Sequence, residues 1–409
     1  MNEKEKIDLI TQISLDLNQI KDIDILLERI LSNVRLFLNA DAGSIYLKDR
    51  DELKFSYSQN ATLQKKLFNS RKLIYNTFSM PINNMSIAGY VAIHKKAVSI
   101  PDVYKLDRSV PYIFDSEYDE ISEYGTRSML TVPITNQRGS ILGILQVINA
   151  MDTNGNIIPF NDSDLPLVMH FATSAGLAIE RAQTTRNIIL RMISMAEMRD
   201  PNESGAHVNR VGAFAVEIYE EWARGKNIQP KEIEMQKDIL RMAAMLHDVG
   251  KVAISDLILK KPDRLTLDEF EIMKSHTFLG ARLFRDTNSD FDYVAMEVAL
   301  NHHEKWDGTG YPGHSKKINI LQDDIYLVQK NKFVPKKGKE IPLFGRIVAI
   351  ADVYDALCSR RAYKEAWEED DIIEEIKKGS GTHFDPEIVK AFFGCYYMLK
   401  SITKRYPDK

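Results

Sequence analysis

The residues best suited to chemistry in this 409-residue chain are histidines and carboxylates in its second half. His247 is followed directly by Asp248, and the pair His302-His303 stands shortly before the segment Gly308-Thr309-Gly310-Tyr311-Pro312. Imidazole nitrogens and carboxylate oxygens suit divalent transition metals, and a carboxylate can bridge two cations. The glycines leave a tight, exposed backbone that a substrate can approach. This combination predicts a metal-dependent hydrolase.

Three further residues could complete such a site. Asp352 lies in an otherwise apolar helical pattern, where burial of a carboxylate is costly unless it is paired or metal-bound. A salt bridge to Arg346 or Arg361 is the structural alternative for Asp352. His207 and His276 are the other candidates, although His276 alone is more typical of a hydrogen-bonded structural histidine. The metal interpretation therefore depends on all these residues together.

The composition argues against several other functional classes. A net charge of -4 gives no basic surface for general nucleic-acid binding. No apolar run approaches the length of a membrane span, and Met1–Lys6 lacks the apolar stretch of a secretory signal. Cys358 and Cys395 are too few for a disulfide framework. We therefore expect a cytoplasmic protein with no nucleic-acid or membrane partner.

The back half is mostly helical in its hydrophobic pattern. The expected helices are Val208–Arg224, Ile233–His247, Thr266–Arg285, Phe291–His303, Ile347–Ser359 and Glu369–Lys378. The segments Asp256–Asp263 and His314–Lys339 are expected to be connections. The second connection carries seven lysines between Lys316 and Lys339, and is interpreted as a solvated loop rather than a lid or an anion-binding segment.

The front half mixes strand and helix patterns. Strands are expected at Gly43–Leu47, Leu53–Ser58, Ser128–Ile134 and Ile141–Asn149, and a helix at Ile87–His94. The segment Asn136–Ser140 is typical of the turn that joins two antiparallel strands. These features indicate an α+β module of the sensor type.

A heptad stripe joins the two halves. Its positions are Leu165, Val168, Ala172, Ala175, Ile179, Ala182, Arg186, Ile189, Ile193 and Ala196. Such a stripe predicts a long helix that pairs with the same helix of a second copy. For the first half of the helix, packing on its own sheet is the alternative. Beyond Arg186 the sheet should be out of reach, so pairing between copies is favoured there.

Beyond about Arg199, the chain resembles an HD-GYP domain, the subclass of the HD phosphohydrolase superfamily that hydrolyses cyclic di-GMP. The resemblance lies in Arg199-Asp200-Pro201, His207, His247-Asp248-x-Gly250-Lys251, His276, His302-His303-Glu304, Gly308-x-Gly310-Tyr311-Pro312, Ile341-Pro342-Leu343, Asp352–Leu357 and Thr382–Pro386. It implies the metal ligands His207, His247, Asp248, His276, His302, His303 and Asp352. Asp248 is expected to bridge two metals.

Glu203 is the additional ligand candidate, and it decides between two and three metals. It lies four residues before His207, so both side chains could share a helix face and one cation. Alternatively, Glu203 caps the start of a helix that begins near Pro201. In the HD-GYP family, a glutamate here resembles the pattern of members with three metals, which we favour.

The resemblance also implies the remaining chemistry. Iron is the expected metal, with manganese as the alternative. Lys251 is expected to stabilise charge on the phosphoryl oxygens as a catalytic residue together with Asp248. Tyr311, Arg361 and Lys364 are the expected substrate contacts, through stacking on guanine and through cationic groups. The lysine-rich segment His314–Lys339 departs from the family, whose members commonly have a short link there.

The front half resembles a GAF domain. The resemblance lies in Ala42–Leu47, Ile87–Ala92, Ile100–Val103, Arg127–Ile134 and Gly143–Asn149. Asn149, Phe160 and Asp164 match the signature of cyclic-nucleotide GAF domains, but Ala150 and Leu165 replace its Lys and Glu. We therefore expect another small-molecule ligand or only a dimerisation role.

The expected fold is multidomain. An N-terminal α+β GAF domain with an antiparallel sheet and helices covers residues 1–182, a linking helix that continues from about 162 covers 183–200, and an all-α HD-GYP domain covers 201–409. The expected function is hydrolysis of cyclic di-GMP to linear pGpG, GMP or both, in a homodimer whose GAF domain modulates the metal site. A non-hydrolytic cyclic di-GMP receptor and a phosphohydrolase for another cyclic dinucleotide are the alternatives.

Overall fold

The computed structural model of the chain describes residues 3–66, 78–197, 205–286, 289–313, 334–359 and 367–407. The chain divides into two compact units, Met1–Thr185 and Arg186–Lys409. The first unit combines a sheet with helices, and the described part of the second unit is almost entirely helical. The predicted multidomain fold is therefore confirmed. The described residues include no helix long and apolar enough to span a membrane.

The N-terminal unit is built on an antiparallel sheet. Its strands are β1 (Ala40–Asp49), β2 (Glu52–Asn60), β3 (Ser79–Pro81), β4 (Val98–Ile100), β5 (Met129–Thr135), β6 (Ile141–Met151) and β7 (Ile157–Ile158). The strand order is β3-β2-β1-β6-β5-β4, with β7 paired to β6. The four expected strands correspond to β1, β2, β5 and β6. The turn at 136–140 joins β5 and β6 as expected.

Helices cover the two faces of this sheet. They are α1 (Glu3–Leu17), α2 (Ile23–Leu38), α3 (Ala61–Lys66), α4 (Ile87–His94), α5 (Glu117–Ser122) and the first part of α6 (Leu165–Glu197). Because side chains alternate along a strand, Ile45 and Leu145 pack into a core with α2 and α6, whereas Tyr46 and Ile144 pack with α4. The helix expected at Ile87–His94 is α4, with the same ends.

The first half of the α6 stripe packs on the sheet of its own unit. The fully buried positions are Val168, Ala172, Ala175, Ile179 and Ala182. Gly176 shows how closely α6 approaches, because a Cβ atom there would lie 2.1 Å from the carbonyl oxygen of Thr135. The structure therefore agrees with the alternative that this half packs on its own sheet.

In the second half of the stripe, the structure differs from the expected pairing between copies. Ile189 and Ile193 are 6% and 4% exposed, and they belong to the hydrophobic core of the C-terminal unit, with Val208 and Phe214. They are therefore already covered within one chain. The periodicity had identified an apolar face correctly, but it could not show that a second core of the same chain buries it.

The C-terminal unit continues with α7 (Gly205–Arg224), α8 (Pro230–Met245), α9 (Asp256–Leu259), α10 (Leu267–Lys274), α11 (His276–Arg282), α12 (Asp290–Asn301), α13 (Leu343–Cys358), α14 (Glu369–Lys378), α15 (Pro386–Gly394) and α16 (Tyr396–Arg405). Helix α7 is its central element, because every residue from His207 to Val216 is buried. Helices α8, α12, α13 and α15 also contribute to the core around it.

Two expectations about secondary structure were wrong in detail. The helix expected at Thr266–Arg285 is interrupted at Ser275, between α10 and α11. The buried Ser275 hydroxyl donates a hydrogen bond back to the carbonyl of Ile272, so α11 starts afresh at His276. The connection expected at Asp256–Asp263 begins with the short helix α9. Most of the expected lysine-rich connection, residues 314–333, lies outside the described residues.

Candidate metal centre

The candidate ligands are delivered mainly by helix ends. His247 and Asp248 follow the end of α8, and His302 and His303 follow the end of α12. His276 is the first residue of α11. The remaining two described candidates lie within helices, His207 in the first turn of α7 and Asp352 in the middle of α13.

Four of these residues form one group. It consists of Asp248, His276, His302 and His303, whose potential ligand atoms all lie within 4.8 Å of one another. The Oδ1 atom of Asp248 lies 3.0 Å from Nε2 of His276 and 3.4 Å from Nε2 of His302. These distances bring residues separated by more than 50 positions to one point.

His207, His247 and Asp352 form a second group with the same spacing of ligand atoms. The Oδ1 atom of Asp352 lies 3.7 Å from Nε2 of His207 and 3.9 Å from Nε2 of His247. Asp248 lies between the groups, because its other oxygen, Oδ2, is 3.4 Å from Nε2 of His247. Its position is that of a carboxylate that could bridge two cations.

The hydrogen bonds of the imidazole rings show that the donor set fits metal ions. In His247, His276 and His302, Nδ1 lies 2.8 to 3.1 Å from backbone carbonyl oxygens. In His207, Nδ1 lies 2.8 Å from a carboxylate oxygen of Asp355. A carbonyl or carboxylate only accepts, so Nδ1 carries the proton and Nε2 is the nitrogen that can offer a lone pair to a metal. Lone pairs that converge on carboxylate oxygens repel one another unless cations lie between them.

Comparison with known families assigns both units. A model of the HD domain matches residues 205–357, a second HD-domain model matches 332–388, and a GAF-domain model matches 22–179. The chain carries a GAF domain followed by an HD domain. The two groups of candidate ligands both lie in the HD domain.

Curated relatives match a little more than half of the chain. A cyclic di-GMP phosphodiesterase of Vibrio cholerae is 39% identical over 232 residues, covering 55% of this chain and 43% of its own length. A 3'3'-cGAMP-specific phosphodiesterase of the same organism is 34% identical, covering 57% and 39%. A cyclic di-GMP phosphodiesterase of Thermotoga maritima is 38% identical, covering 54% and 51%. The chain thus spans about half the length of these relatives or less.

Burial favours the unprotonated form of His302 and His303. It lowers the pKa of His302, and it lowers the pKa of His303 well below its usual value, with help from neighbouring imidazoles. For Asp248, burial raises the pKa, but Lys251 and the adjacent imidazoles outweigh burial and keep that pKa well below its usual value. These three side chains are therefore in the ligand form near neutral pH.

A glycine lets two ligand-bearing segments of the HD domain meet. A Cβ atom at Gly250 would lie 1.9 Å from the carbonyl oxygen of His276 and 2.4 Å from the amide nitrogen of Gly280. Any side chain at Gly250 would therefore push α11 away from Asp248. The spacing His247-Asp248-x-Gly250 thus has a packing reason as well as a chemical one.

Asp355 holds His207 in place from outside the ligand groups. Its Oδ2 atom accepts a hydrogen bond from Nδ1 of His207 at 2.8 Å. Its two oxygens also accept from Nε and Nη2 of the buried Arg210, at 2.5 and 2.9 Å. Arg210 in turn donates to the carbonyl of Tyr406 at 2.8 Å. Sequence analysis placed Asp355 in a motif but assigned it no role, because its partners lie about 145 positions away.

The expected catalytic and substrate residues are only partly described. Lys251 donates to Oδ2 of Asp248 at 2.6 Å, which places its ammonium group beside both ligand groups. The ring of Tyr311 lies 4.8 Å from the ring of His303. Burial, followed by the charge of Asp248, raises the pKa of Tyr311, so the phenol stays protonated. Three expected site residues, Glu203, Arg361 and Lys364, lie outside the described residues.

Glu304 is a buried residue that holds the loop around Pro312. Its Oε1 atom accepts a hydrogen bond from the amide of Gly313 at 2.5 Å. Burial raises the pKa of this 1% exposed carboxyl group. Glu304 therefore ties the end of α12 to the Gly308–Gly313 loop that carries Tyr311. Its place directly after His302-His303 was the available sequence signal.

We predict that Asp355→Asn weakens metal binding and also lowers the stability of the HD domain, because it removes the charge paired with the buried Arg210. The amide keeps the shape of the carboxylate but removes the charge that orients His207, a loss that typically lowers metal affinity about 10- to 100-fold. Competition with a chelator measures the affinity, and circular dichroism checks the fold. Asp370→Asn, at an exposed position of α14, is the matched control. Unchanged affinity in folded Asp355→Asn would contradict this role.

Proposed function

We propose that this protein hydrolyses cyclic di-GMP in a metal-dependent reaction that gives linear pGpG, GMP or both. The observation that carries this proposal is the convergence of four imidazole Nε2 atoms on two carboxylates, while an acceptor lies at the Nδ1 atom of each of these four rings, in His207, His247, His276 and His302. The names of relatives with 38 to 39% identity add support for the substrate. The activity of the whole chain is part of the proposal, because the chain spans only part of those relatives.

The proposed cofactors are two or three divalent transition metals, iron in the first place and manganese as the alternative. The mixture of imidazole and carboxylate donors supports this choice, since neither candidate group contains a thiolate. When bound, the metals would neutralise the phosphodiester and lower the pKa of a coordinated water. Glu203 is the proposed ligand of a third metal.

The chain's own residues supply binding and orientation. Lys251 holds a fixed positive charge beside Asp248, where it stabilises negative charge on the phosphoryl oxygens of the substrate. Tyr311 presents a protonated phenol and an aromatic face next to His303. Arg361 and Lys364 are the proposed additional contacts to phosphate or guanine. Asp248 links both ligand groups through its two oxygens.

Hydrolysis of another cyclic dinucleotide is the second candidate function. It is favoured by the 34% identity to a 3'3'-cGAMP-specific phosphodiesterase, a value close to that of the cyclic di-GMP enzymes. A receptor that binds cyclic di-GMP without turnover is the alternative from another class. Seven ligand candidates brought together in the described residues favour an enzyme over such a receptor.

We predict that the metal-loaded protein cleaves cyclic di-GMP, and that His303→Ala loses bound metal and turnover together. Removal of one imidazole from the group Asp248, His276, His302 and His303 would leave a metal ion bound there with too few ligands. Chromatography of products from cyclic di-GMP, 3'3'-cGAMP and cyclic di-AMP, with metal content measured on the same anaerobic sample, checks this. His170→Ala, at an exposed position of α6, is the control. If the metal-loaded protein cleaves none of these substrates, the proposed enzymatic function is refuted. Full activity of His303→Ala would refute the assignment of His303 as a metal ligand.

We also propose that the GAF domain binds a small, uncharged, planar ligand on the sheet face covered by α4. A polar row crosses this face through the directly paired residues Ser58, Ser44, Gln146 and Thr131. Thr131 is fully buried, and its Oγ1 atom has no hydrogen-bond partner among the described residues. A buried hydroxyl in this state costs about 1 to 3 kcal/mol, which a ligand could recover.

The aromatic neighbours of this row support a planar ligand. Phe55 and Phe78 stack with ring centroids 4.8 Å apart, and Tyr46 meets both rings edge-on. Tyr46 also donates to Oε1 of Gln146 at 3.4 Å, and burial raises the pKa of Tyr46 to about 12. The row itself offers hydroxyl and amide groups but no cation for a phosphate, which favours an uncharged ligand over a cyclic nucleotide.

We predict that Thr131→Val stabilises the ligand-free protein by about 1 kcal/mol, because it replaces an unsatisfied buried hydroxyl with a methyl group of similar size. Chemical denaturation of the GAF transition measures the change. Thr173→Val, at an exposed position of α6, is the control. A loss of stability in Thr131→Val would show that the hydroxyl has a structural partner, and would remove the basis for this ligand site.

We propose in addition that α6 pairs two copies of the chain. The stripe first expected to pair is buried, but α6 also presents exposed apolar side chains, Leu177, Ile188, Met192 and Met195. The last three are spaced by four and three residues, so they lie on one helix face. This face is separate from Ile189 and Ile193, which the C-terminal core covers.

We predict that Ile188→Asp shifts the protein from dimer to monomer, because a charge on this face opposes burial against its copy. Sedimentation velocity measures the oligomeric state. Leu257→Asp, which introduces the same charge at an 86% exposed position of α9, is the control. A monomeric parent protein, or a dimer that persists in Ile188→Asp, would refute this interface.

The domain limits 1–182, 183–200 and 201–409 and a cytoplasmic location complete the proposal. The location is supported by the low cysteine content, because two cysteines are too few for the disulfide framework of a secreted protein.

A further inference from the structure

Helix α10 places an aromatic ring and a cation beside Tyr311. The rings of Phe270 and Tyr311 meet nearly perpendicular, with an interplanar angle of 80° and centroids 6.2 Å apart. The Nζ atom of Lys274 lies 5.0 Å from the centre of the Phe270 ring and 5.5 Å from that of Tyr311. These three side chains form a corner with two aromatic walls and one ammonium group.

This corner borders the candidate metal centre. The Tyr311 ring lies 4.8 Å from the His303 ring and 6.5 Å from the His276 ring. A dinucleotide whose phosphate lies at the ligand groups therefore has its nearest base within reach of the corner.

Packing of the protein alone does not account for Phe270. Its side chain is 42% exposed, and no residue of α10 is buried. Lys274 pairs with Glu271 at 2.6 Å, but the Glu271 side chain is 66% exposed, so this surface pair contributes little and can open for a ligand. An exposed ring and an available ammonium group next to a reactive centre are features of a binding surface.

We propose that Phe270 and Lys274 recognise a guanine base of the substrate, and that Lys274 makes the enzyme prefer guanine over adenine. This inference rests on the proposed function. Stacking on the aromatic rings accepts any purine. Guanine also presents two acceptors, O6 and N7, to an ammonium donor, whereas adenine places an amino donor where guanine has O6. Lys274 therefore supplies the base preference and Phe270 supplies base affinity.

The test compares kcat/KM for cyclic di-GMP and cyclic di-AMP in the full-length, metal-loaded protein. Lys274→Met keeps the length of the aliphatic chain and removes the donor. We expect it to lower kcat/KM for cyclic di-GMP about tenfold and to leave cyclic di-AMP nearly unchanged, so that the preference falls about tenfold. Phe270→Ala should lower kcat/KM for both substrates about tenfold, mainly through KM.

Lys260→Met is the matched control, because Lys260 is also a lysine in an exposed ion pair, with Asp256 at 3.1 Å. Metal content and melting temperature should equal those of the parent protein in all three variants. An unchanged preference in Lys274→Met would overturn the inference, and so would an equal loss on both substrates, which indicates a phosphate contact instead. If the parent protein cleaves neither substrate, the proposed function fails, and calorimetric binding of the two dinucleotides to the same variants still tests Lys274.

Discussion

The constraint on which the rest of this structure depends is the mutual repulsion of lone pairs at the candidate metal centre. His247, His276 and His302 each present an Nε2 lone pair to the oxygens of Asp248 at 3.0 to 3.4 Å. Such an arrangement is unfavourable in a buried site of low polarity unless positive charge compensates it. Lys251 supplies one such charge from the side. The remaining imbalance makes the centre suited to cations, while burial lowers the pKa of His302 and His303 and so opposes their protonation.

Carbonyl groups at helix ends orient these imidazole rings. The last carbonyl groups of a helix have no partner within the helix, and so they can accept hydrogen bonds from other groups. His247 uses the carbonyl of Ala244 at the end of α8, His276 uses that of Met273 in α10, and His302 uses carbonyls in the last turn of α12. Each bond fixes both the rotation of a ring and the nitrogen that carries the proton. The break between α10 and α11 therefore has a function, since an uninterrupted helix would not offer His276 in this place.

How much could be read from the sequence differs from one residue to another. His247-Asp248 and His302-His303 are adjacent pairs beside apolar periodic segments, so the local sequence pattern was enough to select them. The main strands could be predicted from the alternation of apolar and polar residues. The local sequence pattern did not predict contacts between residues that lie far apart in the chain. The partners of Asp355 are about 145 positions away, and Ile193 is buried in the hydrophobic core of the C-terminal unit, most of whose other members lie far along the chain. Phe270 and Lys274 gave no signal, because only the fold brings α10 next to Tyr311.

The long helix α6 contributes side chains to the hydrophobic cores of both units. Its residues from Val168 to Ala182 belong to the hydrophobic core of the first unit, and Ile189 and Ile193 belong to that of the second. Well-packed cores resist small displacements, so each core fixes the part of α6 that it contains. In the second core, Ile193 shares its cluster with Val208 and Val211 of α7, the helix that also carries His207. A substitution at Ile193 therefore changes the packing around a proposed metal ligand without any contact to the metal centre.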